Sequence, residues 1–192
     1  MAAADLSAPR RIVIVGAGQA GLQAALSLRQ GGYEGALALI GDEPAPPYQR
    51  PPLSKGYLKG ELEAERLWLK PEAAYAALRI DLRLGEAVAG IDAGEGRLAL
   101  QGGGQVRFDV AILATGARPR RLDLPGAELE GVFELRTLLD VDRLRAALTA
   151  CALAGGRLVV VGAGYIGLEA AAVARQLGVE VVVLEAAGQV LG

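Results

Sequence analysis

The stretch "RIVIVGAGQAGL", residues 11–22, decides the fold of this chain. The aliphatic run Ile12–Val15 is typical of a strand buried on both faces, and it ends at Gly16. Apolar residues then recur at helical spacing until the Gly31–Gly32 pair, and a second aliphatic run follows at 36–40. The pattern predicts a strand, a tight turn, a helix and a second, parallel strand.

Three glycines in this turn have the spacing of a dinucleotide-binding turn. Gly16 permits the tight turn, Gly18 lets the backbone approach a pyrophosphate, and Gly21 lets the helix pack on the strand. The start of the helix adds unpaired N–H groups that attract phosphate. An acid, Asp42, follows about twenty residues later, where a ribose contact is expected. The same carboxylate could simply cap a turn.

The pattern returns as "RLVVVGAGYIGLEAA" from Arg157, with Gly162, Gly164 and Gly167 in the turn and Glu185 after the second strand. Either copy alone could be an ordinary strand–helix connection, but two complete matches favour two dinucleotide sites. Two sites suggest two different dinucleotides, because a nicotinamide delivers a hydride that a flavin accepts. The second unit is predicted as a strand, a helix and a strand over residues 157–161, 164–177 and 179–184.

Irregular and antiparallel structure is predicted between the two copies. The segment 41–57 is too rich in proline for a helix or a central strand. A short helix is predicted at 71–78, an antiparallel meander at 80–108 and a buried strand at 109–116. Thr137 is predicted to cap a helix that continues to residue 150. The fold class is therefore α/β, a Rossmann-like FAD/NAD(P)-binding fold with an antiparallel β-meander insertion.

Composition excludes several kinds of function. The chain has 192 residues, 52% of them hydrophobic, and its 20 basic and 22 acidic residues give a net charge of −2. This balance provides no attraction for nucleic acid or an anionic membrane, and no apolar run approaches the roughly 18 residues of a membrane span. The single cysteine, Cys151, and the absence of histidine exclude an internal disulfide and metal sites built on these residues. We expect no nucleic acid, no membrane and no metal, and a cytoplasmic location.

Four stretches carry a resemblance to a known family: "GDEPAPPYQRPPLSKGYL", "DVAILATGARPR", "FELRTLLD" and "VVVGAGYIGLEAA". They occur in the same order in the FAD-dependent ferredoxin reductases, in the branch of putidaredoxin, rubredoxin and biphenyl-dioxygenase reductases of the pyridine nucleotide-disulfide oxidoreductase superfamily. The resemblance covers residues 10–192, and "RPPLSK" is its most specific element. It implies an enzyme that passes electrons from NADH through FAD to a [2Fe–2S] ferredoxin or a rubredoxin.

The resemblance also implies cofactor contacts. The implied FAD contacts are Gly16, Gly18, Ala20 and Gly21 at the pyrophosphate, Asp42 near the adenosine ribose, the Val88 backbone at the adenine, Lys55 beside the flavin ring, and Arg50, Thr115, Gly116 and Arg136. The implied NADH contacts are Gly162, Gly164, Tyr165, Ile166, Gly167 and Glu185. Val88 could instead be plain core, and Lys55 could be a solvated loop lysine, although the prolines before it favour a fixed position. Trp68 fits packing better than flavin stacking.

Lys55 and Glu169 are the predicted catalytic pair. Glu169 lies early in the second helix, where a carboxylate complements the helix dipole, and this alone would explain its presence. In the resembling family the matching glutamate approaches the flavin–nicotinamide junction and pairs with the lysine of "PLSK". We therefore predict that the two charged groups lie within about 8 Å of each other and join a loop of one lobe to a helix of the other. Neither is predicted to be an acid–base catalyst, because hydride transfer requires positioning above all.

Missing cysteines separate this chain from the disulfide-reducing members of the superfamily. Those enzymes carry C-x4-C near residues 40–55, and thioredoxin reductases carry C-x-x-C in the second unit. Neither motif occurs here, so no dithiol relay is available and electrons must pass from the flavin to an external acceptor. The alternative is a redox-responsive FAD/NAD-binding module without turnover, similar to apoptosis-inducing factor.

The predicted domains follow from the same resemblance. They are a disordered tail at 1–9, an FAD-binding domain at 10–120, a connection at 121–156 and the start of an NADH-binding domain at 157–192. Only about thirty residues follow the second glycine turn, fewer than a complete nucleotide-binding lobe requires. We therefore expect the second lobe to be truncated and the chain to be an N-terminal portion that is incomplete for turnover alone.

Overall fold

The computed structural model describes residues 9–191, which form two compact units. The first contains the residues up to Tyr48 together with Trp68–Ala117, and the second contains Gln49–Leu67 together with the residues from Arg118 onward. Each unit therefore holds one of the two glycine turns. Of the tail predicted at residues 1–9, only Pro9 belongs to the described residues.

The helices and strands alternate as the sequence pattern predicts. The first unit contains β1 (Arg11–Val15), α1 (Gln19–Gln30), β2 (Ala36–Ile40), α3 (Glu72–Ala77), β3 (Ile80–Arg83), β4 (Val88–Asp92), β5 (Arg97–Leu100), β6 (Gln105–Arg107) and β7 (Val110–Leu113). The second contains α2 (Gly56–Lys59), α4 (Leu138–Leu153), β8 (Arg157–Val161), α5 (Tyr165–Gln176) and β9 (Glu180–Leu184), with 3₁₀ turns at Pro51–Ser54 and Ala64–Leu67.

A four-stranded parallel sheet in the order β3-β2-β1-β7 forms the centre of the first unit. Strand β1 is covered on both faces, which explains its unbroken aliphatic run. Ile12 and Ile14 pack in a cluster with Leu22 of α1, while Val13 packs in a second cluster with Leu98 of β5. The predicted Rossmann-like α/β fold with an antiparallel β-meander is confirmed, and the sheet carries the first glycine turn at the end of β1.

Two predictions about strands need correction. The meander does not begin at residue 80: β3 pairs in parallel with β2, and only β4, β5 and β6 form the antiparallel sheet. The sequence of β3, "IDLR", is too short to indicate whether the neighbouring strand is parallel or antiparallel. The strand predicted to be buried at 109–116 is the edge strand β7, and Leu113 is 64% exposed.

A single arginine fastens the end of α1 to the start of β3. The Arg29 guanidinium donates hydrogen bonds to four backbone carbonyls. It thereby joins the end of α1, the loop that follows and the segment between α3 and β3. The acceptors are the carbonyls of Leu78 at 2.9 Å, Tyr33 at 2.6 Å, Gly35 at 3.0 Å and Arg79 at 2.6 Å.

The second unit is built on the parallel pair β8–β9. Helix α5 packs against both strands and α4 against β8, whereas Val159 and Val161 remain 50% and 61% exposed. The predicted cap of α4 is confirmed: the Asp140 N–H donates to the Thr137 hydroxyl, and the Asp140 carboxylate accepts from the Thr137 N–H. The apolar strands of this unit are therefore only partly covered by its helices.

The packing groups 49–67 with the second unit, whereas the predicted FAD-binding domain runs continuously from 10 to 120. The functional division into FAD-binding and NADH-binding domains stays a prediction. Within residues 9–191, no helix is long and apolar enough to cross a membrane. The same residues contain no group of three or more Cys, Asp or Glu side chains placed to hold a metal ion.

Candidate functional site

The first glycine turn connects β1 to α1, and two of its glycines are required by packing. Gly16 has a φ of +111°, and a Cβ there would overlap the Ala114 carbonyl. A Cβ on Gly21 would overlap the Gly16 carbonyl oxygen. Gly18 is different: it is the N-cap of α1 with a φ of −94°, and a Cβ there would meet nothing within 4 Å. The space before this helix is therefore open at Gly18.

The second turn, between β8 and α5, repeats this arrangement. Gly162 has a φ of +97°, and a Cβ on Gly167 would overlap the Gly162 carbonyl oxygen. Gly164 is the N-cap of α5, and a Cβ there would again meet nothing within 4 Å. Gly162 is required by its positive φ alone, because a Cβ there would also meet nothing within 4 Å. The two turns therefore share a positive-φ first glycine, an open N-cap glycine and a third glycine packed against the first.

Both turns fit a pyrophosphate. Gly18 and Gly164 each stand at the N-terminus of a 12-residue helix whose first turn contains no acidic residue. The N–H groups and the positive end of such a helix attract an anion, and the missing Cβ lets a phosphate reach them. Ala20 is exposed in the first turn of α1, and Tyr165 and Ile166 are 74% and 51% exposed in the first turn of α5. All three lie at the surface that a phosphate would approach.

Glu185, the acidic residue after β9, is hydrogen-bonded to the backbone of the second glycine turn. Glu185 directly follows Leu184, which pairs with Val161 at the end of β8. Its Oε2 accepts from the Ala163 N–H at 2.6 Å, and its Oε1 accepts from the Ala187 N–H at 2.8 Å. The Ala187 bond, followed by the Ala163 bond, holds the pKa of the Glu185 carboxyl below its ordinary value. A charged carboxylate therefore stands beside the glycine turn at neutral pH.

The first unit has a glycine at the corresponding position. Val15 pairs with Ile40 at the ends of β1 and β2, so the residue that matches Glu185 is Gly41. Its N–H donates to the Arg83 carbonyl at 2.9 Å. A Cβ at this position would lie 2.5 Å from the side chain of Ala17. Asp42 is exposed and stands one residue farther along the chain. The predicted ribose contact of Asp42 stays a prediction.

Lys55 and Glu169 lie in contact, as predicted. The Lys55 Nζ lies 2.9 Å from Glu169 Oε1, far within the predicted 8 Å, and it also donates to the Pro51 carbonyl at 3.2 Å. Both partners belong to the second unit, so the pair does not join one compact unit to the other as predicted. The physical reason is that the 3₁₀ turn Pro51–Ser54 packs against α5 and carries Lys55 with it.

Sequence reasoning missed Ser54. Its hydroxyl donates to Glu169 Oε2 at 2.5 Å, so both oxygens of this carboxylate are bonded. The Ser54 bond first, and then the Lys55 bond, lowers the pKa of the Glu169 carboxyl. Glu169 is the fifth residue of α5, beyond its first turn, so its two partners explain its charge better than the helix dipole does. The only sequence signal was a serine directly before the predicted lysine.

Two further predicted FAD contacts meet in the second unit. The Arg50 guanidinium donates to the Arg136 carbonyl at 2.5 Å. The Arg136 N–H in turn donates to the Asp140 carboxylate at 3.1 Å, which places Arg136 just before the capped start of α4. The backbone of Arg136 is therefore held on both sides.

The remaining predicted FAD contacts lie in the first unit. Thr115 and Gly116 are exposed after β7, and the Thr115 nitrogen lies 2.9 Å from the position of a Cβ on Gly16. Val88 packs its side chain on the core cluster around Val13 and pairs with Leu100 of β5, and its predicted adenine contact stays a prediction. Trp68 is partly buried and forms an isolated β-bridge with Tyr48, which agrees with a packing role.

Comparison with known proteins identifies related chains. Residues 10–192 match the model of the pyridine nucleotide-disulphide oxidoreductase family. Rhodocoxin reductase of Rhodococcus erythropolis is 48% identical over 175 residues, which cover 91% of this chain and 40% of that protein. Rubredoxin-NAD(+) reductase of Pseudomonas putida is 44% identical over 180 residues, which cover 94% of this chain and 46% of that protein.

A solved structure gives the same result. The crystal structure of the covalent putidaredoxin reductase–putidaredoxin complex matches with a TM-score of 0.86 and 42% identity, over 96% of this chain and 44% of that chain. The chain thus spans less than half the length of each of these three relatives. The similarity includes both glycine turns and the segment between them.

Proposed function

Because the chain belongs to the pyridine nucleotide-disulphide oxidoreductase family, we propose that it binds FAD at its first glycine turn and NADH at its second. The observation that carries the proposal is the repeated turn geometry, in which Gly18 and Gly164 each leave open space at a helix N-terminus. A single turn would suit one nucleotide. Two turns suit a protein that brings a hydride donor and a flavin together.

We further propose that the protein is an NADH-dependent reductase of a small iron–sulfur protein, a [2Fe–2S] ferredoxin or a rubredoxin. The names of the relatives support this proposal, since they include a rhodocoxin reductase and a rubredoxin reductase. The cysteine content supports it too. Cys151 is the only cysteine in the sequence, so the chain offers no dithiol to accept electrons from a flavin. The lack of a dithiol in these 192 residues favours an acceptor that is a separate molecule.

The role proposed for the protein in the reaction is positioning. When bound, the nicotinamide supplies a hydride and the flavin accepts it. The two turns would hold the pyrophosphates of the two cofactors, and the Lys55–Glu169 pair would fix charged groups beside the reacting rings. Neither side chain has to gain or lose a proton in this scheme.

We propose NADH rather than NADPH because Glu185 keeps its negative charge beside the second turn. A carboxylate at this position accepts hydrogen bonds from both ribose hydroxyls and repels a 2′-phosphate. The residues after Glu185, "AAGQVLG", contain no arginine or lysine that could bind a 2′-phosphate. The proposal applies to the second turn only, since Gly41 occupies the matching position in the first.

The experiment has two stages. First, flavin released by heat from the purified protein is identified by chromatography: FAD is expected, and FMN would contradict the assignment of the first turn. Second, NADH is added without oxygen to the full-length protein, and reduction of a ferredoxin or of an artificial dye is followed. Reduction supports the reductase, whereas bound FAD without any NADH-dependent reduction would favour the binding module without turnover. Gly164→Ala is the matched control, which should retain FAD and lose the response to NADH.

A further inference from the structure

Ser54 is an unusual residue in the second unit. Tyrosines aside, it is the one buried polar or charged side chain among the described residues, with 4% of its surface exposed. A buried hydroxyl is costly unless it makes a hydrogen bond. Its bond is the one it donates to Glu169 Oε2 at 2.5 Å. The Ser54 side chain therefore has Glu169 as its hydrogen-bond acceptor, although the two residues are 115 positions apart in the sequence.

The two partners of Glu169 act in different surroundings. The Lys55 side chain is 53% exposed, so its ion pair with Glu169 Oε1 is screened by water and salt. The Ser54 hydroxyl is shielded from water, and a hydrogen bond to a charged acceptor is stronger there. The lysine supplies charge, whereas the serine supplies the better-protected and more directional bond.

The backbone around Ser54 fixes the direction of this bond. Pro51 and Pro52 begin the 3₁₀ turn, and their rings restrict φ. The Leu53 N–H donates to the Arg50 carbonyl at 2.9 Å, and the Lys55 N–H donates to the Pro52 carbonyl at 3.0 Å. A stiff turn on one side and the helix α5 on the other hold the serine and the glutamate at a set distance.

We propose that Ser54 is the positioning residue that fixes the carboxylate of Glu169, and that Lys55 alone does not fix it. The proposal rests on the function proposed above, because it assigns Ser54 to the arrangement of charged groups beside the reacting rings. A carboxylate bonded at one oxygen can rotate, whereas one bonded at both oxygens has a defined plane. Loss of the Ser54 hydroxyl should therefore change the orientation of Glu169 while the second unit remains folded.

The first test needs no cofactor. Protein labelled with ¹³C at the glutamate carboxyl groups is titrated by NMR, and the Glu169 signal is assigned with Glu169→Gln. In Ser54→Ala the pKa of Glu169 should rise towards its ordinary value, and Ser54→Thr should restore the low value because it retains a hydroxyl. Lys55→Met is the matched control, in which the smaller part of the effect should be lost. An unchanged Glu169 titration in Ser54→Ala would overturn the proposal.

The second test uses the FAD-loaded full-length protein. In Ser54→Ala, flavin reduction at saturating NADH should be slower by about tenfold, with the Kd for NADH within about twofold of the original. Ser54→Thr should recover most of the rate. A purely structural role predicts equal losses in rate, affinity and unfolding midpoint, and that result would also overturn the proposal. If the NMR shift occurs but the unmodified protein reduces no flavin, the positioning contact stands and the proposed function fails.

Discussion

Replacing Gly18 by alanine should weaken FAD binding and leave the fold intact, whereas replacing Gly21 should destabilise the fold itself. The two glycines are three residues apart in one turn, so each variant is a control for the other. The difference arises from their surroundings. A Cβ on Gly18 meets nothing within 4 Å, and a Cβ on Gly21 overlaps the carbonyl oxygen of Gly16, which is rigid backbone.

The expected magnitudes follow from this geometry. Gly18 has a φ of −94° and a ψ of −168°, which any residue adopts, so the free energy of unfolding should change by no more than about 0.5 kcal/mol. Overpacking at Gly21 costs about 1–3 kcal/mol, and the better helix propensity of alanine returns up to about 1 kcal/mol. The net loss at Gly21 should be about 1–2 kcal/mol.

The effect on affinity comes from the open space. A methyl group at Gly18 would occupy the path of a pyrophosphate to the N–H groups of α1. Hydrogen bonds to charged groups contribute about 1.5–3 kcal/mol each, so losing one should raise the Kd for FAD at least about tenfold. Urea unfolding measures stability, and quenching of flavin fluorescence measures affinity. An unchanged Kd in Gly18→Ala would refute the pyrophosphate assignment, and unchanged stability in Gly21→Ala would refute the packing argument.

Three other predictions concern charged residues. The full-length protein should prefer NADH over NADPH by at least about tenfold in kcat/KM, and Glu185→Ala combined with Ala186→Arg should erode this preference. Equal efficiency without mutation would show that Glu185 does not read the ribose. Arg29→Lys should lower the free energy of unfolding by about 2 kcal/mol, because a lysine cannot donate to the four carbonyls that the guanidinium reaches. The control is Arg79→Lys at a surface ion pair, which should change the free energy of unfolding little in the same urea titration. The lowered pKa of Glu169 means that its contacts stabilise the fold above the ordinary glutamate pKa of about 4.3 and lose this effect as the pH falls through the lower folded value. The stability difference between the unmodified protein and Glu169→Gln should therefore shrink on acidification, and a difference independent of pH would contradict this.

The sequence was sufficient for features that depend on local chemistry. Each glycine turn is specified by residues within a dozen positions of one another, and in each the structure has a positive-φ first glycine, an open N-cap glycine and a third glycine packed against the first. The cap of α4 was predictable for the same reason, since Thr137 and Asp140 are three residues apart.

Features that depend on distant partners were predicted less well. The four residues of β3 carry no mark of the strand they pair with, so its parallel pairing with β2 became clear only in three dimensions. The aliphatic sequence of β7 predicts burial, but its place at the edge of the sheet leaves Leu113 exposed. Ser54 had no local signal beyond its place directly before Lys55, because its distinguishing feature is a bond to a residue 115 positions away. The Lys55–Glu169 contact was predictable only from a family resemblance.

The central claim is that the two turns hold two different dinucleotides. Its most direct test is a calorimetric titration of FAD and of NADH into the unmodified protein and into the Gly18→Ala and Gly164→Ala variants. Both substitutions enter open space at a helix N-cap, so each should alter one site without disturbing the fold. We predict that Gly18→Ala loses affinity for FAD alone and that Gly164→Ala loses affinity for NADH alone, each by at least about tenfold. Loss of both ligands in one variant, or exchange of the ligands between the two, would contradict the account.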